Sequence, residues 1–206
     1  MNIKIESNIM SKSIIDIQKI VRGFLVRKHM LIPSALYQTK NWRKNRMWYK
    51  IGKSNECEKY QIRMIEKIIA NKLPKTNDRI NIETNDIVSM TSPMSSADGY
   101  EWSENFDGKI IIDNNTFYFN LKFVCDAGGA QTRTLREVYH FITHQLMYVM
   151  KYNTNNIYFI NILDGDTSFK NMDKFNYLLD KKIYELVRKY VFIGSLSEFQ
   201  MKFKKL

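Results

Sequence analysis

From residue 100 onward, the pattern of hydrophobic and polar positions predicts strands first and a long helix after them. Apolar and polar side chains alternate over residues 116–124, as expected for a strand with one buried face. Residues 108–113 predict a second strand, joined to the first by a turn at 113–115. A stripe at helical spacing then follows a glycine-rich loop, and its members are Leu135, Val138, Ile142, Leu146 and Val149.

The rest of this half completes a regular order of elements. Residues 157–163 form a continuous apolar run that predicts a buried strand, and a helix at 171–188, a strand at 191–194 and a last helix follow. Thr134 with Glu137 three residues later has the form of a capping box, which predicts the start of the long helix. The order predicts an α/β (α+β) fold, with a mixed central sheet flanked by helices.

The N-terminal half predicts helices. Apolar periodicity indicates one helix at 11–32, which ends before Pro33, and another at 55–72. Residues 74–98 look like a mixed connection that holds a short helix at 83–90. The expected organisation is a basic helical arm over residues 1–50, followed by an α/β domain over residues 51–206.

Positive charge is concentrated near the N-terminus. The chain has 206 residues and a formal net charge of +11. Residues 11–50 contain ten Lys or Arg and one acid, Asp16, so this segment carries +9 and the remainder only +2. A basic block of this kind favours a nucleic-acid backbone, an acidic protein or an anionic surface as partner, and composition alone does not separate these.

Cysteine usage and hydropathy predict an intracellular, soluble protein, without distinguishing cytoplasm from nucleus. Cys57 and Cys125 have neither metal-binding spacing nor a disulfide framework around them, which favours a reducing compartment. No apolar run approaches the roughly 18 residues that a membrane span needs, so we expect no membrane partner. The first residues lack the apolar core of a signal peptide.

Aromatic and cationic side chains are interleaved over residues 41–50. Arg43, Lys44 and Arg46 could contact phosphates there while the aromatic rings stack on bases. The interpretation we favour is a helix whose aromatic rings anchor it to the domain, while its cations stay hydrated.

Residues 17–27 fill every position of the pattern I-Q-x-x-x-R-G-x-x-x-R, through Ile17, Gln18, Arg22, Gly23 and Arg27. This segment resembles the IQ motif, the helical site bound by calmodulin and related EF-hand light chains. The resemblance implies such a partner, which would bind the apolar face of the helix in a groove and the flanking cations with an acidic lobe. The alternative is a basic amphipathic helix that packs on its own domain.

A second set of residues suggests a catalytic site. Asp107-Gly108 precedes one predicted strand, and Asn120-Leu121-Lys122 lies near the end of the next. Over about residues 55–206, this arrangement resembles the PD-(D/E)XK nuclease superfamily, which includes many restriction endonucleases. The segment 128–139 is also similar to uncharacterised proteins of large DNA viruses.

The resemblance implies a Mg²⁺-dependent site that cleaves DNA. Asp107 would hold the metal, Lys122 would activate water, and Gln131 would position a phosphate or an assisting water. Arg133 and Arg136, which flank the predicted start of the long helix, would contact phosphate.

Asn120 departs from the family pattern, which has Asp or Glu at this position. An amide oxygen lacks the charge that makes a carboxylate a strong Mg²⁺ ligand. Compensating carboxylates could come from Glu104, or from Glu56 or Glu58 on the preceding helix.

Three hypotheses about function therefore remain open. The first is a DNA-binding, endonuclease-like protein that docks a calmodulin-like partner. The second is a non-catalytic IQ-motif adaptor, which the departure at Asn120 favours, and the third is a sequence-tolerant nucleic-acid binder. Glu137, His140 and His144 share a helical face that could hold a metal, although a solvated polar face is the interpretation we favour.

Overall fold

The computed structural model describes residues 32–51, 55–89 and 103–203. The predicted IQ helix, with Ile17, Gln18, Arg22, Gly23 and Arg27, lies outside the described residues. From Pro33 onward the chain forms one compact unit. Its helices are α1 (Lys40–Lys44), α2 (Glu56–Ile69), α3 (Gly129–Tyr152), α4 (Asp166–Lys170), α5 (Met172–Leu179) and α6 (Leu196–Phe203).

Two sheets accompany these helices. The strands are β1 (Asp78–Ile80), β2 (Ile87–Ser89), β3 (Gly108–Ile112), β4 (Asn115–Phe123), β5 (Ile157–Asp164) and β6 (Val191–Gly194). The larger sheet has the order β3-β4-β5-β6, in which β3 and β4 are antiparallel whereas β4, β5 and β6 are parallel. The smaller sheet pairs β1 with β2. The predicted α/β class with a mixed central sheet is therefore confirmed.

Helices cover both faces of the larger sheet. The apolar stripe of α3 is buried against one face, where Val138, Ile142 and Leu146 join the main core with Phe159 from β5. On the other face, α2 contacts α6, and the ring of Phe199 on α6 lies 6.1 Å from that of Phe119 on β4. Side chains alternate along β4, so its successive residues face α3 and the α2/α6 layer in turn.

The β3–β4 connection is a tight turn, as predicted. Asp113 and Asn114 both have positive φ values, 49° and 63°. Asp and Asn tolerate this left-handed conformation better than other non-glycine residues, and two-residue turns of this kind match the twist of a hairpin. The turn fixes the register in which Gly108 pairs with Phe119.

Three local predictions were wrong. Residues 83–90 contain the strand β2 and no helix, because pairing with β1 outweighs the weak local preference. The helix predicted at 171–188 stops at Leu179 and is followed by two short 3-10 turns. Thr134 does not cap α3, which starts at Gly129; its hydroxyl instead donates to the carbonyl of Ala130 at 3.2 Å.

Residues 33–51 belong to the folded unit, so the predicted domain boundary at residue 51 is too late. Trp48 stacks on Tyr60 of α2 at 4.6 Å, and Trp42 lies parallel to Phe123 of β4 at 6.2 Å. Gln38 is fully buried and accepts a hydrogen bond from the backbone N–H of Gly165 at 2.9 Å. The aromatic side chains over 41–50 thus anchor this segment, in agreement with the interpretation we favoured.

Candidate active site

Asp107 extends the β3–β4 ladder by one residue at the edge of the sheet. Its backbone N–H donates to Phe119 at 2.8 Å, and its carboxylate accepts the backbone N–H of Leu121 at 2.6 Å. The side chain is therefore fixed beside the residue that precedes Lys122. The sequence predicted this neighbourhood, because a tight hairpin brings the start of one strand to the end of the other.

The carboxyl group of Asp107 is an unusual acid. Its pKa is raised to about 6, chiefly by burial; the hydrogen bond from Leu121 and the charge of Lys122 oppose the shift, and the charges of Glu58 and Glu104 add to it. Burial disfavours the ionised form, and neighbouring carboxylates add repulsion. Three carboxyl groups and one ammonium group therefore influence one another here, and such clusters of perturbed titratable groups are frequent at functional sites.

Lys122 forms an ion pair with Glu104, between its Nζ and the Oε2 of the acid. The side chain of Lys122 is 23% exposed and that of Glu104 is 67% exposed, so the acid lies on the solvent side of the pair. An exposed ion pair contributes on the order of 0–1 kcal/mol, and an incoming phosphate could therefore displace Glu104.

On α2, the acid that acts on Asp107 is Glu58, not Glu56. Glu56 pairs with Lys59 at 3.1 Å, one turn along the same helix. Residues two positions apart on a helix point about 200° away from each other, so these two glutamates face different directions. Of the carboxylates proposed as compensation, Glu104 and Glu58 are those that influence the pKa of Asp107.

Asn120 is buried in a network of amides beneath α3. Its Nδ2 donates to Oδ1 of Asn161 at 3.0 Å, and Gln145 exchanges two hydrogen bonds with Asn161 at 3.1 and 2.8 Å. Asn161 also donates to the carbonyl of Phe192 at 3.3 Å. The role of Asn120 in this network is structural, and it requires an amide that donates.

A cavity of about 540 Å³ lies beside Lys122 and the N-terminal half of α3. It contains the predicted polar face of that helix, with Glu137, His140 and His144. His144 hydrogen-bonds Asn85 at 2.7 Å, and burial, with the charge of His140 as a second cause, lowers its pKa. Within the described residues, no three His, Cys, Asp or Glu side chains are grouped closely enough to hold a metal by themselves.

A Mg²⁺ ion nevertheless fits the donor chemistry around Asp107. Mg²⁺ is usually held by one or two carboxylates, with water and substrate phosphate completing its shell. Asp107 and Glu58 supply hard oxygen atoms, and their mutual repulsion is the kind that a cation relieves. These two residues are therefore those that would hold the ion.

Gln131 does not line the Lys122 cavity. Its side chain turns back over the start of α3, where a Cβ added to Gly128 would lie only 2.7 Å from Oε1 of Gln131. It lines a separate pocket of about 320 Å³, together with Lys40 and Arg43. Gln131 therefore lies at this second pocket and not in the cavity beside Lys122, where it was predicted to position a phosphate or a water.

The cations predicted to bind nucleic acid are spread over three places on the surface. Arg43 lies over the ring of Tyr49 at 5.0 Å and Arg46 over that of Trp42 at 4.7 Å, whereas Lys44 is exposed beside them. Arg133 is exposed near the start of α3. Arg136 lines a different groove, between α3 and α5.

Sequence patterns did not identify Gln61, which links the site to the core. This buried residue of α2 lies one turn beyond Glu58, and its Nε2 donates to the carbonyl of Lys122 at 3.1 Å and to Asp164 at 2.9 Å. Asp164 is fully buried, and burial raises its pKa to about 6. The spacing of Glu58 and Gln61 was the available signal, but it resembles that of any amphipathic helix.

Among the residues that the structure describes, no helix combines the length and apolar character needed to cross a membrane. Comparison with protein-family models, curated proteins and solved structures finds no match to this chain, so the interpretation of the site rests on its geometry and on the resemblance of its motifs.

Proposed function

We propose that this protein is a DNA-binding, Mg²⁺-dependent phosphodiesterase with a site of the PD-(D/E)XK type. The observation that carries the proposal is the pairing of Asp107 with the backbone of Leu121, which holds an acid next to Lys122 at the open end of β4. The cavity of about 540 Å³ gives a nucleotide room to reach Lys122 and Glu104, which both line it.

Each residue would have a separate role in phosphodiester hydrolysis. Asp107 and Glu58 would hold Mg²⁺, and the ion would supply Lewis-acid stabilisation of charge on the phosphate oxygens. Lys122, as an ammonium group, donates to the phosphate and orients the attacking water. Glu104, once displaced from Lys122 by the phosphate, remains within reach as an acceptor for the proton of that water.

The test is a nicking assay on supercoiled plasmid with the full chain. We expect nicked product with Mg²⁺ or Mn²⁺ and none with EDTA. At Mg²⁺ concentrations below saturation, we also expect the rate to rise with pH between about 5 and 7. The reason is that burial raises the pKa of Asp107 to about 6 in the absence of metal, so a proton competes with the ion for this carboxylate near that pH.

Two results would contradict this proposal. Nicking that persists in EDTA would point to a contaminating or metal-independent activity. A rate independent of pH between about 5 and 7, measured below Mg²⁺ saturation, would show that Asp107 does not bind the ion. A variant with Asp113→Asn, in the exposed turn, is the control and should behave as wild type.

Docking of an EF-hand protein is a second candidate function, which the IQ pattern of residues 17–27 favours. We propose calmodulin or a related light chain as the partner. Calmodulin immobilised on resin should retain the full chain, and Ile17→Glu should release it because a charge would enter the apolar groove. Equal retention of both proteins would reject this interaction. The two functions are compatible, since they use different parts of the chain.

A further inference from the structure

A second pocket, of about 320 Å³, lies beyond the end of β4, where α1 meets the start of α3. The charged and polar side chains that line it, together with one thiol, are Lys40, Arg43, Cys125, Asp126, Gln131 and Thr134. Two cations from α1 thus face the polar residues that begin α3. The pocket belongs to the compact unit and does not depend on the N-terminal segment.

Arg43 forms no ion pair with a described carboxylate, although its charge acts on Asp126 and on the thiol of Cys57. Its Nε is buried and has no hydrogen-bond partner among the described residues. The ring of Tyr49, at 5.0 Å, holds the guanidinium in place by a cation–π contact. A buried Nε–H without an acceptor is costly, and a bound anion would supply the acceptor that is missing.

Lys40 differs from Arg43 because it already has a partner. Its Nζ lies 2.6 Å from the carboxylate of Asp126, and both side chains are about half exposed. An anion that entered the pocket would compete with Asp126 for Lys40. Asp126 therefore weakens the binding of any anion there.

The start of α3 adds weak positive potential to the same pocket. Ala130 and Gln131, in the first turn, line it, and the first turn contains no acid. The N-cap residue, Gly128, has no side chain to bind the free N–H groups of this turn. Such groups and the helix dipole favour an anion, in addition to the two cations.

The pocket adjoins the cavity of the candidate active site. Thr134 lines both, and Phe123, Val124 and Cys125 lead from Lys122 directly into the second pocket. Three residues of extended chain span roughly 10 Å, so one nucleic-acid strand could contact both places. We infer that this pocket binds a backbone phosphate of the DNA strand whose neighbouring phosphate lies at Lys122, an inference that rests on the proposed function.

The test measures DNA affinity without cleavage. The full chain is titrated, in EDTA, into a short fluorescein-labelled DNA duplex, and anisotropy gives the Kd. We expect Arg43→Gln to weaken binding about tenfold, since a charged hydrogen bond to phosphate is lost. The slope of log Kd against log salt concentration should decrease by about one, which corresponds to the loss of one phosphate contact.

Two further variants make the prediction specific to the pocket. Lys67→Gln removes the same charge from an exposed position on α2 that lines neither this pocket nor the cavity beside Lys122. We expect a change of less than about twofold there. Asp126→Asn should strengthen binding about threefold to tenfold, because it releases Lys40 for the phosphate. Asn tolerates the positive φ of this position, 82°, as well as Asp does.

Equal weakening by Arg43→Gln and Lys67→Gln would overturn the inference, because it would indicate diffuse attraction by a basic surface. An unchanged or weaker affinity in Asp126→Asn would overturn it as well. If thermal unfolding shows that Arg43→Gln does not fold, the Kd values of Arg43→Lys and Asp126→Asn test the inference instead. If the Kd values change as expected but the protein does not nick plasmid in Mg²⁺, the hydrolytic function is rejected. The phosphate site proposed here would then still stand.

Discussion

Lys122→Met is expected to lower the rate of Mg²⁺-dependent nicking by at least about 100-fold, which corresponds to roughly 2.7 kcal/mol of transition-state stabilisation. The substitution keeps much of the side-chain volume, but it removes the ammonium group next to Asp107 and Glu104. Among the described residues that line this cavity, no other carries a permanent positive charge. The measurement is the initial rate of nicking at saturating protein, compared with wild type.

Lys151→Met is the matched control for this change. Lys151 also forms an exposed ion pair, with Asp86 at 2.7 Å, but it lies near the C-terminal end of α3, away from the cavity. Its rate should stay within about twofold of wild type. If Lys122→Met and Lys151→Met nick equally fast, Lys122 takes no part in the chemistry and the proposed site is wrong.

Asn120→Asp is expected to destabilise the fold by about 2–3 kcal/mol and to leave nicking no faster. The carbonyl of Phe192 can only accept, so Nδ2 of Asn161 must face it, and Oδ1 of Asn161 must face Asn120. Residue 120 therefore has to donate. A buried carboxylate there would face an acceptor and lose its hydration, which makes the substitution costly.

Urea unfolding at neutral pH measures this effect through the midpoint and slope of the transition. Asn114→Asp, in the turn between β3 and β4, is the control and should change stability by less than about 0.5 kcal/mol. A stable Asn120→Asp protein with faster nicking would show that residue 120 supplies a metal ligand. The amide network would then be dispensable, against our assignment.

Much of the fold follows from local sequence patterns. The alternation over 116–124 and the Asp-Asn turn set the β3–β4 hairpin, and the stripe from Leu135 to Val149 sets the buried face of α3. Boundaries were less accurate, as the start of α3 at Gly129 illustrates. Helix ends depend on what surrounds them, and the loop before α3 is held by Asp166 and Thr167 from another element.

The candidate site was predictable only in part. A hairpin with a known register brings Asp107 next to Leu121, so the proximity of Asp107 and Lys122 follows from the sequence. The choice between Glu56 and Glu58 does not, since it depends on how α2 is rotated against β4. That rotation is set by Gln61, which reaches Lys122 and the buried Asp164, a residue more than 100 positions away.

By itself, the sequence determined the order and type of most elements, the hairpin that carries Asp107 and Lys122, and the excess of positive charge before residue 51. Tertiary structure alone decided that Asn120 faces Asn161, that residues 33–51 belong to the folded unit, and that Arg43 lines a pocket beside the site. The physical reason is distance along the chain. Periodicity and turn chemistry act over a few residues, whereas hydrogen bonds and aromatic stacking between remote segments depend on how whole elements pack.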